Sequence, residues 1–167
     1  LTDQVVKGTC VLHEIDVVAY NDTKLIMVEV KFHNQLGLKS DLKVALYVKA
    51  RFDDLKEVVF TYGGKERHLT EGWLVTNTKF TSMAIQYAEC QNIKLTGWNY
   101  PNSSSLIRMI EESGLHPITS LTTLKNSEKK FLMDKGVVLC NSIMKEQNSL
   151  RELGLKDDDI QAVVNEA

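Results

Sequence analysis

His13-Glu14-Ile15-Asp16, followed by Val28-Glu29-Val30-Lys31, is the stretch on which the reading of this chain turns. Residues 10–20 and 24–32 are rich in Val and Ile and are joined around Asn21-Asp22-Thr23, which predicts two antiparallel strands and a tight turn. A turn centred on residues 22–23 sets Asp16 opposite Glu29 and Glu14 opposite Lys31. Side chains alternate along a strand, so these four charged groups are expected on one face. The other face then carries Ile15, Val17, Ala19, Ile26, Val28, Val30 and Phe32 as a core stripe.

Working outward, Ser40 or Asp41 can cap a helix that runs to about Leu55, with Leu42, Ala45, Val48, Phe52 and Leu55 at helical spacing. Gly63-Gly64 reads as a turn, Trp73-Leu74-Val75-Thr76 as a short buried strand, residues 79–91 as a helix and residues 93–98 as a further strand. A helix from Leu106 to Ser113 is expected to stop at Gly114. Strands alternating with helices imply an α/β fold, a sheet flanked by helices. After Pro117 the pattern turns all-helical, with segments 127–135, 137–146, 148–153 and 158–166. The boundary falls near residues 114–120, giving a core over residues 1–115 and a small helical appendage over 116–167.

At 167 residues the chain is long enough to bury a core without disulfides or a structural metal. Hydrophobic residues make up 43% and charged residues 25%, which excludes disorder and low complexity. A formal net charge of -2 excludes a bulk polycation that coats nucleic acid, but not a local basic groove, and residues 24–67 carry more Lys and Arg than acids. No apolar run approaches the ~18 residues of a membrane span and no signal peptide is expected, so a cytoplasmic protein is the expectation. The start at Leu1 rather than Met leads us to expect residues upstream. Cys10, Cys90 and Cys140 form no CxxC pair and are expected as reduced, buried thiols; the scattered His13, His33, His68 and His116 offer no zinc spacing.

Opposed strand residues have Cβ atoms about 4.5–5.5 Å apart, and two carboxylates at that distance repel unless a cation sits between them. Mg²⁺ is typically held by one or two carboxylates plus substrate phosphate. A lysine two residues after Glu29 can neutralise a developing oxyanion or orient water. The pattern therefore reads as metal-assisted phosphodiester hydrolysis. The competing reading is a solvated polar face, since E-x-K alone is a weak pattern.

The run Gly8-Thr9 through His13-Glu14-Ile15-Asp16-Val17-Val18-Ala19, then Val28-Glu29-Val30-Lys31-Phe32, resembles the catalytic core of the PD-(D/E)xK nuclease superfamily, and most of all Mrr-like restriction endonucleases. The further stretch from Ser40-Asp41-Leu42-Lys43 to Ala50-Arg51-Phe52 is similar to the subgroup that carries an ATP-cone domain ahead of the nuclease. The resemblance implies a restriction-endonuclease-like mixed sheet and a Mg²⁺- or Mn²⁺-dependent endonuclease. It also implies double-stranded DNA as partner and allows a homodimer. By matching position, Asp16 and Glu29 would bind the metal, the backbone carbonyl of Val30 would join them, and Lys31 would assist the attacking water. The chain departs from the family in two ways. The family usually supplies a further acid from a helix before the first strand, which this chain starts too late to show, and the Q-x-x-x-Y pattern of the next helix becomes Lys43-x-x-x-Tyr47.

Lys43, Tyr47 and Arg51 follow each other at helical spacing and form a polar stripe suited to DNA phosphate, or else a solvated face. His13 is expected to pack rather than ligate, His33 to reach the rim of the site, and Glu14 to pair with or position Lys31. Thr76, Asn77, Thr78 and Lys79 mark a strand-to-helix junction that can hold an anion or simply cap the helix. Trp98-Asn99-Tyr100 can stack on a base or finish a core. Leu150 to Leu155 hints at a helix–hairpin–helix, but Asp157-Asp158-Asp159 would repel a phosphate and suits a helix N-terminus. The rival to an enzyme is a non-catalytic nuclease-fold module that binds DNA or protein, with nucleotide regulation through a domain upstream.

Overall fold

The structure, a computed structural model, describes residues 1–35, 37–145 and 147–167, the side chain of Gln147 excepted. The chain divides into two compact units, Leu1–Arg108 and Met109–Ala167. In chain order the first holds β1 (Thr2–Lys7), β2 (Leu12–Tyr20), β3 (Leu25–Lys31), β4 (Lys39–Ser40), α1 (Leu42–Leu55), β5 (Val59–Tyr62), β6 (Lys65–His68), β7 (Glu71–Thr76), β8 (Lys79–Phe80), α2 (Ser82–Cys90) and β9 (Lys94–Thr96). Helix α3 (Leu106–Ser113) crosses the division and ends at Gly114.

The main sheet is mixed, in the order β1-β2-β3-β7-β9. β1, β2 and β3 pair antiparallel, while β3, β7 and β9 run parallel. The hairpin forms where the sequence expects it. The Asn21 side chain accepts from the N–H groups of Thr23 at 2.9 Å and Lys24 at 2.8 Å, a local bond that competes with strand continuation and closes the turn. It fixes Val17 opposite Val28 and Tyr20 opposite Leu25, the register that a turn at 22–23 dictates.

The expected core stripe is corrected. Ile15, Val18, Leu25 and Met27 are the buried residues of the hairpin, packed with Leu55 and Leu69, whereas Ala19, Val30 and Phe32 are exposed. Ile15 and Val18 are three positions apart, so the strand's alternation slips by one at Asp16-Val17. On β3 the inward parity is that of Leu25 and Met27, and Glu29 shares it. Glu29 therefore points to the covered side of the sheet instead of standing on a free polar face.

Helix α1 covers that side. Asp41 caps it, its carboxylate accepting from Lys43 N–H at 3.0 Å and Val44 N–H at 3.4 Å. Ala45 and Val48 pack with Leu74, Phe80, Ala84, Ala88, Ile93 and Leu95 in a second cluster. The helix expected over 79–91 begins later: Lys79 and Phe80 pair with β4 as strand β8, and the Thr81 hydroxyl caps α2. Strand β1 and the β5–β6 hairpin were not expected; β1 is a polar edge strand with little apolar signal. Gly63 and Gly64 do form the predicted turn, both at positive φ, as a two-residue hairpin loop requires.

The second unit contains a 3-10 turn at Ile118–Ser120, then α4 (Asn126–Asp134), α5 (Cys140–Ile143), α6 (Gln147–Glu152) and α7 (Asp157–Glu166). Its own core gathers Ile118, Leu121, Leu132, Ile143, Leu150 and Val163. The helix expected over 137–146 is shorter, since Leu139 is extended and bridges to Pro117 so that α5 starts only at Cys140; its expected last residue lies outside the described residues. Asp157, Asp158 and Asp159 form the first turn of α7, where carboxylates complement the helix dipole. Cys140 is buried as expected, but Cys10 and Cys90 are exposed. Among the described residues no helix is long and apolar enough to cross a membrane.

Candidate active site

The slip of alternation in β2 brings the candidate acids together. Strand pairing stops at Val17 and Val28, and one step further the Asp16 carboxylate turns across the gap and accepts from Val30 N–H at 2.6 Å. Asp16 thus sits against the backbone of Glu29-Val30-Lys31, held by the Val30 N–H. Val30 itself is 44% exposed.

Glu29 faces α1 and receives the guanidinium of Arg51, through Nη1, on its Oε2. Burial raises the Glu29 carboxyl above its ordinary range; the Arg51 cation draws it down, the Asp16 charge raises it again, and Lys31 lowers it, leaving it raised. Asp16, Glu29, Lys31 and Arg51 thus share one electrostatic neighbourhood. Lys31 is exposed, and no carboxylate among the described residues lies within 4 Å of its ammonium.

The polar stripe expected on α1 is corrected at one position. Lys43 and Tyr47 are exposed, but Arg51 is only 5% exposed and turned onto Glu29, because it lies at the buried edge of the helix beside Val48 and Leu55. The Arg51 guanidinium carbon stands 5.1 Å from the Tyr47 ring centroid, and its buried Nε has no hydrogen-bond partner among the described residues. Lys43 and Tyr47 remain available to a phosphate, while Arg51 is a partner of the acid.

His13 packs as expected. Its Nε2 lies 2.7 Å from Asp54 Oδ2, and the same carboxylate accepts from Cys10 N–H at 2.7 Å and Val11 N–H at 3.3 Å. Those donors hold Asp54 well below the usual carboxylate range. Glu14 is exposed and stands opposite Val5 in the β1 ladder, with no ion pair among the described residues.

At the end of β3 the sequence reading missed a polar framework. The Thr76 hydroxyl donates to the Lys31 carbonyl at 2.8 Å, Ser40 Oγ lies 3.2 Å from Thr76 Oγ1, and His33 Nε2 lies 3.1 Å from Ser40 Oγ. The Asn77 amide clasps the His33 backbone, accepting from its N–H at 2.8 Å and donating to its carbonyl at 2.9 Å. These residues lock the exit of β3 to that of β7, and buried hydroxyls in a strand of apolar neighbours are the only sequence signal that could have found them. Thr76 to Lys79 hence belong to strand ends, not to a helix terminus.

A divalent cation fits the donor set at Asp16 and Glu29, two hard carboxylates in reach of solvent, with water or substrate oxygens needed to complete the shell. Among the described residues no third His, Cys, Asp or Glu converges on them.

A family model described as AF1548-like, C-terminal, matches residues 116–167. An uncharacterized protein of Archaeoglobus fulgidus is 40% identical over 167 residues, covering 99% of this chain and 90% of that protein. The crystal structure of AF1548, a protein of unknown function, superposes with a TM-score of 0.73 at 38% identity, covering 99% of this chain and 85% of that one. Likeness at this level along nearly the whole length of both proteins places the chain in the AF1548-like family.

Proposed function

We propose that this chain is a Mg²⁺- or Mn²⁺-dependent endonuclease of the PD-(D/E)xK, Mrr-like kind, acting on double-stranded DNA in the cytoplasm. The observation that carries this reading is the meeting of Asp16 with Glu29-Val30-Lys31 at a break in the hairpin. Asp16 takes the Val30 N–H, Glu29 feels the Asp16 charge, and Lys31 stands exposed beside them.

Asp16 and Glu29 would hold the cation, which supplies Lewis acidity and a more acidic bound water. Arg51 fixes the Glu29 rotamer and favours its ionised form. Lys31, an exposed cation at a strand end, neutralises charge on the phosphate. Lys43 and Tyr47, exposed one turn apart on α1, contact the DNA backbone. Supercoiled plasmid incubated with Mg²⁺ or Mn²⁺ is expected to be nicked or linearised, with EDTA suppressing the reaction. Intact plasmid under every divalent cation condition would remove the enzyme.

One observation favours a second reading. Glu29 already has Arg51, and Asp16 already has the Val30 N–H, so both acids are satisfied by the chain itself. A non-catalytic module that binds DNA or protein needs no more than that. DNA binding without cleavage selects it.

A further inference from the structure

A cleft of about 350 Å³ opens beyond the end of β3, with His33, Lys39, Asn77, Lys79 and Trp98 on its walls. Its size falls in the ~300–1,000 Å³ range of small-ligand sites. Among the described residues that line it there is no carboxylate, while Lys39, Lys79 and the amides of Asn34 and Gln35 all contribute.

Two features mark it as built for an anion that carries a flat group. Lys39 and Lys79 are direct partners across the β4–β8 pair, and neither has a carboxylate within 4 Å among the described residues. Like charges set side by side on adjacent strands repel unless an anion joins them. The second feature is Trp98, a residue 40% exposed that lines the cleft. Its backbone N–H donates to the Thr78 carbonyl at 2.9 Å, an approach that Gly97 permits, since a Cβ there would meet the same carbonyl at 3.0 Å. The Asn77 clasp on His33 holds the opposite wall in place.

We infer that this cleft receives one nucleotide of a nucleic-acid strand, unpaired or turned out of the duplex, its phosphate between Lys39 and Lys79 and its base against Trp98. A strand unit fits better than a free nucleotide because the cleft begins two residues after Lys31 on the same chain segment, so a strand held at Lys31 runs past its mouth. The inference rests on the nuclease reading for the identity of the strand, and its test is independent of cleavage.

The test is fluorescence anisotropy of labelled decathymidylate with the full chain in EDTA. Trp98→Ala is expected to weaken binding about tenfold, with Trp98→Tyr staying within about twofold of the parent, as sequence-tolerant stacking predicts. Replacing both Lys39 and Lys79 by Ala is expected to reduce the salt slope by about 0.7, the loss of one phosphate contact on a single strand. In a Trp73→Phe background the Trp98 emission is expected to be quenched on titration, a readout that needs no truncation at the cleft. Unchanged affinity in Trp98→Ala, no quenching, or free dTMP binding as tightly as the decamer would each overturn the inference. Trp98-dependent binding by a chain that cuts no DNA keeps the cleft and removes the nuclease. Cleavage with Trp98-independent binding does the reverse.

Discussion

Arg51, from the buried edge of α1, holds the carboxylate of Glu29, from the inward face of β3. Burying a charge is costly unless it is paired, and removal of one partner leaves the other uncompensated. Arg51→Met is therefore expected to lower the unfolding free energy by about 3 kcal/mol, measured by denaturant melts. The Glu29 carboxyl, already raised by burial, loses the cation that draws it down. Its titration, followed by ¹³C NMR, is expected to move to still higher pH in Arg51→Met, so that a higher pH is needed to ionise it.

Metal binding is expected to stabilise the fold. A cation that binds only the native state contributes about 1.4 kcal/mol at ten times its Kd. Mn²⁺ is expected to raise the Tm of the parent chain and to leave Asp16→Asn unmoved. An equal rise in both would place the ion elsewhere.

Gly8 is required by close approach. A Cβ there would lie 2.2 Å from Asp54 Oδ2, the carboxylate that gathers Cys10, Val11 and His13. Gly8→Ala is expected to displace Asp54 and destabilise the first unit by about 1–3 kcal/mol, with helical content by circular dichroism retained.

The second unit has its own acid-sensitive clasp. Glu166 accepts from the N–H and hydroxyl groups of Thr122 and Thr123, at 2.6–2.9 Å, which lowers its carboxyl to about 2. A depressed native pKa contributes stability that is present above the unfolded value, about 4.3, and is lost as pH falls through the native one. The Tm gap between the parent chain and Glu166→Gln is expected to be full at pH 7, to narrow below about pH 4.3 and to close near pH 2.

The hairpin, its turn and its register were legible because Asn21-Asp22-Thr23 acts locally on flanks with strong strand composition. Helices α1 and α3 were legible through their spacing and their stops. Which face of the hairpin is buried was not, because a slip at Asp16-Val17 is a tertiary feature that alternation cannot reveal. On β3 both parities are apolar, Leu25 and Met27 against Ile26 and Val28, so the sequence does not show that Glu29 turns inward, nor the role of Arg51, which helical spacing alone placed beside Lys43 and Tyr47. The cleft escaped too, since Lys39, Lys79 and Trp98 are far apart in sequence and meet only through the β4–β8 pair and the Gly97 contact.

We propose Asp16, Glu29 and Lys31 as a metal-dependent hydrolytic site on DNA. The most direct measurement is the Mn²⁺-dependent nicking rate of a supercoiled plasmid by the parent chain and by Asp16→Asn, Glu29→Gln and Lys31→Ala, each checked for an intact fold. The parent is expected to nick, and every variant to lose at least about a hundredfold in rate, as for removal of a group that stabilises transition-state charge. No nicking by the parent, or the same nicking by the folded variants, would contradict it.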